Sequence, residues 1–415
     1  MIVEISPSCL TGRVYPPASK SVAHRALIAA ACADYPTLIK GNLLGDDVNA
    51  TLNALIALGA KTVKTEHGIL IIPIGANRQN NVNINVCASG STLRFLLPLA
   101  ASIGTTATFD GTKRLAERPI GELISELKNH GISTDGERLP LTVSGNFSDN
   151  NFTIDASVSS QYVSGLLMAL PNVGGGTVKT VGEIVSRDYL NITMAVMRAF
   201  GINVELNGDT FTVSGKYKTM GTYNVESDWS SAGFFAIAGA KGNITLDGLN
   251  LSSTQGDKAV LDALKLAGAN VDGGIETKVS EGCLNAFTFD VNNCPDAAPI
   301  LAVLAAMSKG KSKLLNTARL KIKESDRAQE IVKMLNAFKI DAQDNGNSIE
   351  IIGGDIKGCE IDLPDDHRIA MSAAILAVNA TGKSVLKGAE CVNKSYPTFF
   401  EDLTKVGGKV NVLTV

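Results

Sequence analysis

At 415 residues the chain is too long for one ordinary core, which holds roughly 150 residues, and its 45% hydrophobic content can fill more than one. Lys plus Arg number 38 and Asp plus Glu 41, a formal charge of −3 without long like-charge blocks, which argues against a nucleic-acid or membrane-surface protein with a basic face. The longest apolar runs, such as residues 297–307, fall well short of the roughly 18 residues needed to span a bilayer.

The chain opens Met1-Ile2-Val3-Glu4-Ile5. That string reads as a strand, not a secretory leader, so the cytoplasm is the expected compartment. Cys9, Cys32, Cys87, Cys283, Cys294, Cys359 and Cys391 are odd in number and contain no C-x-x-C pair. His24, His67, His130 and His367 are never spaced H-E-x-x-H. Neither a disulfide frame nor a zinc site fits this pattern, and a metalloenzyme built on imidazole ligands is not expected.

An amphipathic helix ending at a small residue and leading into a short strand then recurs along the chain. The stops fall at Gly59, Gly131, Gly201, Gly268, Lys339 and Gly407, with steps of 72, 70, 67, 71 and 68. Five of the six are glycines able to take positive φ just past a helix end. Lys339 breaks the pattern, so its helix is expected to end differently. A second ladder marks the starts of apolar helices at Lys20, Gly90, Ser160, Ser230, Asp296 and Asp366, with steps of 70, 70, 70, 66 and 70. Six units of about 70 residues predict two similar α/β domains. One spans residues 13–225. The other joins residues 1–12 to 226–415, with hinge strands near Gly12 and Glu226 and the strand Ile2 to Ile5 completing the far half.

Unusual polar residues gather on the second ladder. Helix starts carry unpaired N–H groups and partial positive charge, so several converging ones favour anions. The first three starts hold Lys20-Ser21 with Arg25, Gly90-Ser91-Thr92 with Arg94, and Ser159-Ser160-Gln161. The last three hold Asp228-Trp229-Ser230-Ser231, Pro295-Asp296 and Asp366-His367-Arg368. The second helices add Arg118, Ser186, Tyr189, Lys323-Glu324-Ser325-Asp326-Arg327 and Lys394. Any one Ser or Asp here could simply cap its helix, but repeated Lys and Arg at equivalent starts go beyond capping.

Six ordered strings carry a family resemblance: P-P-A-S-K-S-V-A-H-R-A-L-I (16–28), G-T-K-R-L-A-E-R-P-I-G (111–121), V-S-S-Q (158–161), P-D-A-A (295–298), K-E-S-D-R (323–327) and D-D-H-R-I-A-M (365–371). In these the chain resembles the 5-enolpyruvylshikimate-3-phosphate synthase family, from near residue 5 to near residue 405. The resemblance implies two domains of three βαβαββ units each, the inside-out α/β barrel of enolpyruvyl transferases. It implies transfer of the enolpyruvyl group of phosphoenolpyruvate to the 5-hydroxyl of shikimate 3-phosphate, by a monomer needing no cofactor, metal, nucleic acid or membrane.

By the same resemblance the catalytic residues are Asp296 as proton acceptor, Glu324 as donor and Lys20. Shikimate 3-phosphate falls to Lys20, Ser21, Arg25, Ser159, Ser160, Gln161, Ser186, Tyr189, Asp296 and Lys323. Phosphoenolpyruvate falls to Lys20, Gly90, Arg118, Gln161, Arg327, Arg368 and Lys394. The chain departs from the family at Ala88, where Asn is frequent, at Phe95, where Pro is common, and at Arg319. Two other readings compete: a UDP-N-acetylglucosamine enolpyruvyl transferase, which usually bears a Cys in the loop that here reads Gly111 to Ala116, and a non-catalytic binding protein built from repeats.

Overall fold

The computed structural model describes residues 1–274 and 276–413; Ile275 and the last two residues of the second predicted domain, 414 and 415, lie outside the described residues. Its helices are α1 (Lys20–Ala31), α2 (Asp46–Leu58), α3 (Gly90–Ser102), α4 (Lys113–Ala116), α5 (Gly121–Asn129), α6 (Ser160–Ala169), α7 (Arg187–Ala199), α8 (Trp229–Gly239), α9 (Val260–Ala267), α10 (Ala298–Met307), α11 (Arg327–Ala337), α12 (His367–Val378) and α13 (Phe399–Lys405). The described strands form six open four-stranded sheets.

Each sheet repeats one plan. In the third, Asn151–Asp155 runs parallel to Gly176–Val181, Thr210–Ser214 pairs antiparallel to that strand, and Asn203–Asn207 pairs antiparallel at the edge. The parallel pair requires a crossover, which α6 supplies. α7 then leads to the edge strand, and Gly208 at φ +64° closes the hairpin.

Three sheets borrow a strand from far along the chain. Thr222–Asn224 runs parallel to Thr37–Lys40 in the first, Thr11–Val14 parallel to Asn243–Leu246 in the fourth, and Ile2–Ser6 lies between Ser384–Lys387 and Lys409–Leu413 in the sixth.

The chain divides into two compact units, Ala18–Glu226 and Met1–Pro17 with Ser227–Val415. The first crossing therefore falls at Pro17–Ala18, later than the boundary at residues 12–13 that the repeat spacing predicts. Strand pairing is the reason. Arg13 and Val14 are zipped to Thr245 and Leu246, and the Arg13 guanidinium donates to Asp247 at 2.9 Å and Glu276 at 2.7 Å. A one-residue shift, from 225–226 to 226–227, separates prediction and structure at the second crossing.

The first helix of each repeat lies at the heart of its unit. All ten residues of α10 and all twelve of α12 are buried, and α1, α3, α6 and α8 are nearly so. A helix apolar all round can only be stable inside. Small residues let these helices approach closely. Pro98 in α3 has no N–H to offer the Arg94 carbonyl four residues back, and Gly165 of α6 packs against that carbonyl so tightly that a Cβ would stand 2.3 Å from it.

The stops behave alike with one instructive difference. Gly59, Gly131, Gly201, Gly268 and Gly407 have φ between +81° and +119°, and Lys339 also turns left-handed, at φ +64°. The expectation that its helix ends differently is thus corrected: Lys339 N–H bonds the Asn336 carbonyl and Ile340 N–H the Leu335 carbonyl, the same closure a glycine makes elsewhere. A lysine held there carries strain of about 1 kcal/mol that glycine would not. Lys339→Gly is expected to raise the midpoint of chemical unfolding only slightly, by an amount equivalent to at most about 0.5 kcal/mol once glycine's own entropy loss is subtracted; denaturant titration measures it.

Candidate active site

In the unit of residues 18–226 the starts of α1, α3 and α6 are tied together by buried polar side chains. Lys20 Nζ lies 2.8 Å from Asp47 Oδ2 at the start of α2. One turn on, His24 Nδ1 meets Thr51 Oγ1 at 2.6 Å, Thr51 meets Thr92 at 2.6 Å, and Thr92 donates to Ser89 Oγ at 2.7 Å. Burial pulls the His24 pKa down to about 3, so its ring is neutral and serves as one link in a hydroxyl chain. The chain ends at Ser89, whose side chain caps α3 directly before Gly90.

Gly90 sits against two guanidiniums. A Cβ there would lie 2.7 Å from Arg94 Nη1 and 2.8 Å from Arg118 Nη1. Arg94, 3% exposed, donates to Gln161 Oε1 at 2.8 Å and to the Pro119 carbonyl at 3.0 Å, and Gln161 Nε2 donates to Ser91 at 2.9 Å. Arg118 Nε is buried with no hydrogen-bond partner among the described residues. A buried donor left unsatisfied is costly, so this atom is suited to an arriving acceptor.

Ser159 caps α6 by accepting from Gln161 N–H at 3.3 Å, and Ser160 follows it, buried. Ser186 stands before α7 at φ +50°, ψ +50°. A left-handed serine with no cap bond of its own is the sort of backbone strain found at binding sites. Arg25 differs from its expected surroundings. It is 2% exposed, donates to Thr193 Oγ1 and to the carbonyls of Ser21 and Tyr189, and lies 4.8 Å above the Phe95 ring. It thereby fixes the backbone of two other predicted ligands, and Phe95, a departure from the family pattern, is its platform.

The other unit concentrates charge around Arg327, whose side chain is 0% exposed. Its Nη1 donates to Asp296 Oδ1 at 2.7 Å, its Nη2 to Glu324 Oε2 at 2.5 Å and its Nε to Asp366 Oδ2 at 2.8 Å. Asp366 caps α12 through the Arg368 N–H and accepts from Ser325 at 3.0 Å. Arg368 Nη2 reaches Asp296 Oδ2 at 3.1 Å, and Lys323 Nζ reaches Asp296 Oδ1 at 3.4 Å. Lys394, 8% exposed, ends the Ala389–Lys394 turn.

Burial pushes the Asp296 carboxyl up, but Arg368, Lys323 and Arg327 outweigh it and hold the group well below the usual carboxylate range. Burial likewise lowers Lys323 despite Asp296, with Arg327 and Arg319 adding to the fall. Asp296, Lys323, Glu324, Arg327 and Arg368 therefore form one cluster, while Lys20, Gly90, Arg118 and Gln161 gather about the helix starts of the other unit.

Sequence inspection missed Asp47, Thr51 and Thr193. A signal for some of them was present. Lys20–Asp47, His24–Thr51, Ser230–Asp257 and Asp296–Lys323 are all hydrogen-bonded pairs 27 residues apart. That constant offset joins the first and second helix starts of a repeat.

The family described as EPSP synthase (3-phosphoshikimate 1-carboxyvinyltransferase) matches residues 5–403. The 3-phosphoshikimate 1-carboxyvinyltransferase of Clostridium kluyveri is 37% identical, covering 100% of this chain and 99% of its own. That of Thermococcus kodakarensis is 38% identical, covering 95% and 97%. The solved EPSP synthase of Acinetobacter baumannii superposes with a TM-score of 0.82 at 26% identity, covering 99% of this chain and 100% of that one. The enolpyruvyl transferase NikO of Streptomyces tendae, at 17% identity and a TM-score of 0.80, shares the fold. Six βαβαββ repeats with cations and acids at their helix starts define an enolpyruvyl transferase. Within that class the chain belongs to the EPSP synthase family.

The geometry at Gly90 generates a test. In Gly90→Ala the methyl group meets side-chain ends that can swing away, so the fold survives while Arg118 and Arg94, with Gln161 attached, are displaced. The expected outcome is a KM for phosphoenolpyruvate raised about tenfold or more, equivalent to losing roughly one charge-assisted hydrogen bond, with a smaller change for shikimate 3-phosphate. Steady-state kinetics with each substrate varied checks it.

Proposed function

We propose that the two clusters serve the family's reaction with the roles that the sequence motifs imply. That reaction moves the enolpyruvyl group of phosphoenolpyruvate to the 5-hydroxyl of shikimate 3-phosphate. The hydroxyl oxygen bonds to C2 of phosphoenolpyruvate as C3 takes a proton. The tetrahedral intermediate then loses phosphate as a proton leaves C3, restoring the double bond. One acid and one base are needed at the reacting atoms.

The observation that carries the assignment is that a single buried guanidinium, Arg327, grips both Asp296 and Glu324. Asp296 accepts the hydroxyl proton and Glu324 delivers one to the methylene. A carboxylate held by three cations is a weak base, but anionic substrates that engage Arg368 and Lys323 withdraw that field and restore its basicity.

Lys20, Ser21, Ser159, Ser160, Gln161, Ser186, Tyr189, Asp296 and Lys323 hold shikimate 3-phosphate, with Arg25 acting chiefly by fixing Ser21 and Tyr189. Lys20, Gly90, Arg118, Gln161, Arg327, Arg368 and Lys394 hold phosphoenolpyruvate. The orphaned Nε of Arg118 supports this, as does the fit of Arg to carboxylate and phosphate. Work in the cytoplasm belongs to the same proposal and fits seven cysteines of which none is disulfide-bonded.

Phosphate release from phosphoenolpyruvate with shikimate 3-phosphate, and none with UDP-N-acetylglucosamine, is the expected result. Reversed acceptor preference would overturn it. Asp296→Asn and Glu324→Gln are each expected to lower turnover by roughly 10²- to 10⁴-fold.

Asp296→Asn should also cost stability of the order of 3 kcal/mol, because it removes the carboxylate charge that Lys323, Arg327 and Arg368 share. The sign follows from a depressed folded-state pKa. The contribution of Asp296 is present above the unfolded value near ~3.9 and is lost as pH falls through the lower folded value. The difference in unfolding free energy between wild type and variant should therefore be full at pH 7 and shrink below about pH 4.

Replacing Ser159 and Ser160 together by Ala should weaken shikimate 3-phosphate more than phosphoenolpyruvate. Loss of the Ser159 cap alone predicts only a stability decrease of about 1 kcal/mol. Isothermal titration and thermal unfolding separate the two contributions.

A further inference from the structure

Tyr162 lies in the first turn of α6, directly after Gln161, and is fully buried in the core of its unit. A phenol placed among apolar side chains needs an acceptor for its O–H. Tyr162 finds one in the backbone carbonyl of Pro119, to which its hydroxyl donates at 2.6 Å. Burial pushes its pKa up to about 12, so the oxygen keeps its proton and remains a donor.

The same carbonyl accepts from Arg94 Nη2 at 3.0 Å, and the Arg94 guanidinium lies 5.8 Å from the centre of the Tyr162 ring. Two donors, one from α3 and one from α6, thus converge on a single backbone oxygen. That oxygen belongs to the residue after Arg118. On its other side Arg118 donates its own N–H to the Leu115 carbonyl of α4 at 3.1 Å. Pro119 adds a further restriction, because its ring fixes φ and disfavours helical backbone at the residue before it. The Arg118 main chain is therefore held from both sides, while its guanidinium stands against Gly90.

Neither packing nor hydrogen-bond balance asks for the Tyr162 hydroxyl. A phenylalanine ring would fill the same space, and Arg94 alone already gives the Pro119 carbonyl a partner. What the second donor adds is direction: a carbonyl held by one bond can pivot about it, whereas donors from two helices on its two lone pairs fix its plane. We infer that Tyr162 is a positioning residue for Arg118, its hydroxyl orienting the Arg118–Pro119 backbone so that the guanidinium is aimed in advance at phosphoenolpyruvate. This rests on Arg118 being a ligand of that substrate. The hydroxyl itself touches no substrate and passes no proton. Without it the remaining bonds keep the segment in place, but Arg118 samples more directions, and ordering it again on binding lowers affinity.

The test is steady-state kinetics of Tyr162→Phe with each substrate varied. The KM for phosphoenolpyruvate is expected to rise about three- to tenfold, the scale of one lost hydrogen bond, with kcat and the KM for shikimate 3-phosphate within about twofold of wild type. Incorporating 4-aminophenylalanine at position 162, which returns an N–H donor to the ring, should bring the phosphoenolpyruvate KM back towards wild type. An unchanged phosphoenolpyruvate KM in Tyr162→Phe, or equal rises for both substrates, overturns the inference. Added to Arg118→Ala, Tyr162→Phe should cost nothing more. A second rise of the same size there means that the hydroxyl acts elsewhere, which overturns the inference and leaves Arg118 as a ligand. A phosphoenolpyruvate KM unchanged in Arg118→Ala alone overturns that assignment and the inference with it. Should Tyr162→Phe fail to fold, 4-fluorophenylalanine at position 162 takes its place, filling the oxygen's space with no proton to donate; equal KM values for the fluoro and amino forms overturn the inference.

Discussion

A guanidinium with no access to water must be surrounded by acceptors, and Arg327 has three carboxylates on it. Taking one such ion from water costs several kcal/mol unless its partners are well placed. That requirement fixes the positions of Asp296, Glu324 and Asp366 far more tightly than packing alone would. Asp366 in turn caps α12 and sets Arg368, while Asp296 draws in Lys323 and Arg368. A structural demand for charge balance thus assembles the groups to which the proposed chemistry is assigned. The other unit meets the same demand with neutral acceptors: Arg94 and Arg25 are buried on an amide, a hydroxyl and backbone carbonyls. This leaves the unit's positive field available to anions.

The repeat ladders were legible because they follow from local physics. A helix that must stop before a strand needs a left-handed residue, and glycine advertises it. Lys339 shows the limit of that rule, since tertiary structure imposes the conformation where the favoured residue is missing. The helix starts predicted at Lys20, Gly90 and Ser160 coincide with those of α1, α3 and α6. Asp296 precedes its helix by two residues, in the turn before α10. The domain crossing near residue 12 was misplaced because Thr11–Val14 owes its pairing to a strand more than two hundred residues away, which no local pattern reveals.

The candidate site was legible only through motifs. Composition and spacing point to anions at helix starts, but the roles of Asp296 and Glu324 come from the family resemblance. What neither source discloses is the polar framework beneath. Thr51 and Thr193 look like ordinary helix residues and Thr92 like part of a helix start, and their hydroxyls matter only because five helices bring Thr51 within 2.6 Å of His24 and of Thr92, and Thr193 within 2.8 Å of Ser164. Arg25 illustrates the converse. Its motif suggests a ligand, whereas its burial beside Phe95 gives it the task of shaping the backbone that presents Ser21 and Tyr189.

The borrowed strands also bear on synthesis. Residues 18–226 form a continuous unit whose last strand, Thr222–Asn224, closes its first sheet, so this part can complete its pairing while the rest is still being translated. The other unit cannot. Ile2–Ser6, which leaves the ribosome long before the other strands of its sheet, belongs between strands of a sheet completed by Glu360–Asp362, Ser384–Lys387 and Lys409–Leu413. Its unpaired edges stay exposed until Ser384–Lys387 and Lys409–Leu413 have emerged, a wait of tens of seconds at about 5–20 residues per second. The apolar residues of that strand, Ile2, Val3 and Ile5, are therefore interrupted by Glu4, a charge that helps keep a waiting edge from pairing with the wrong chain.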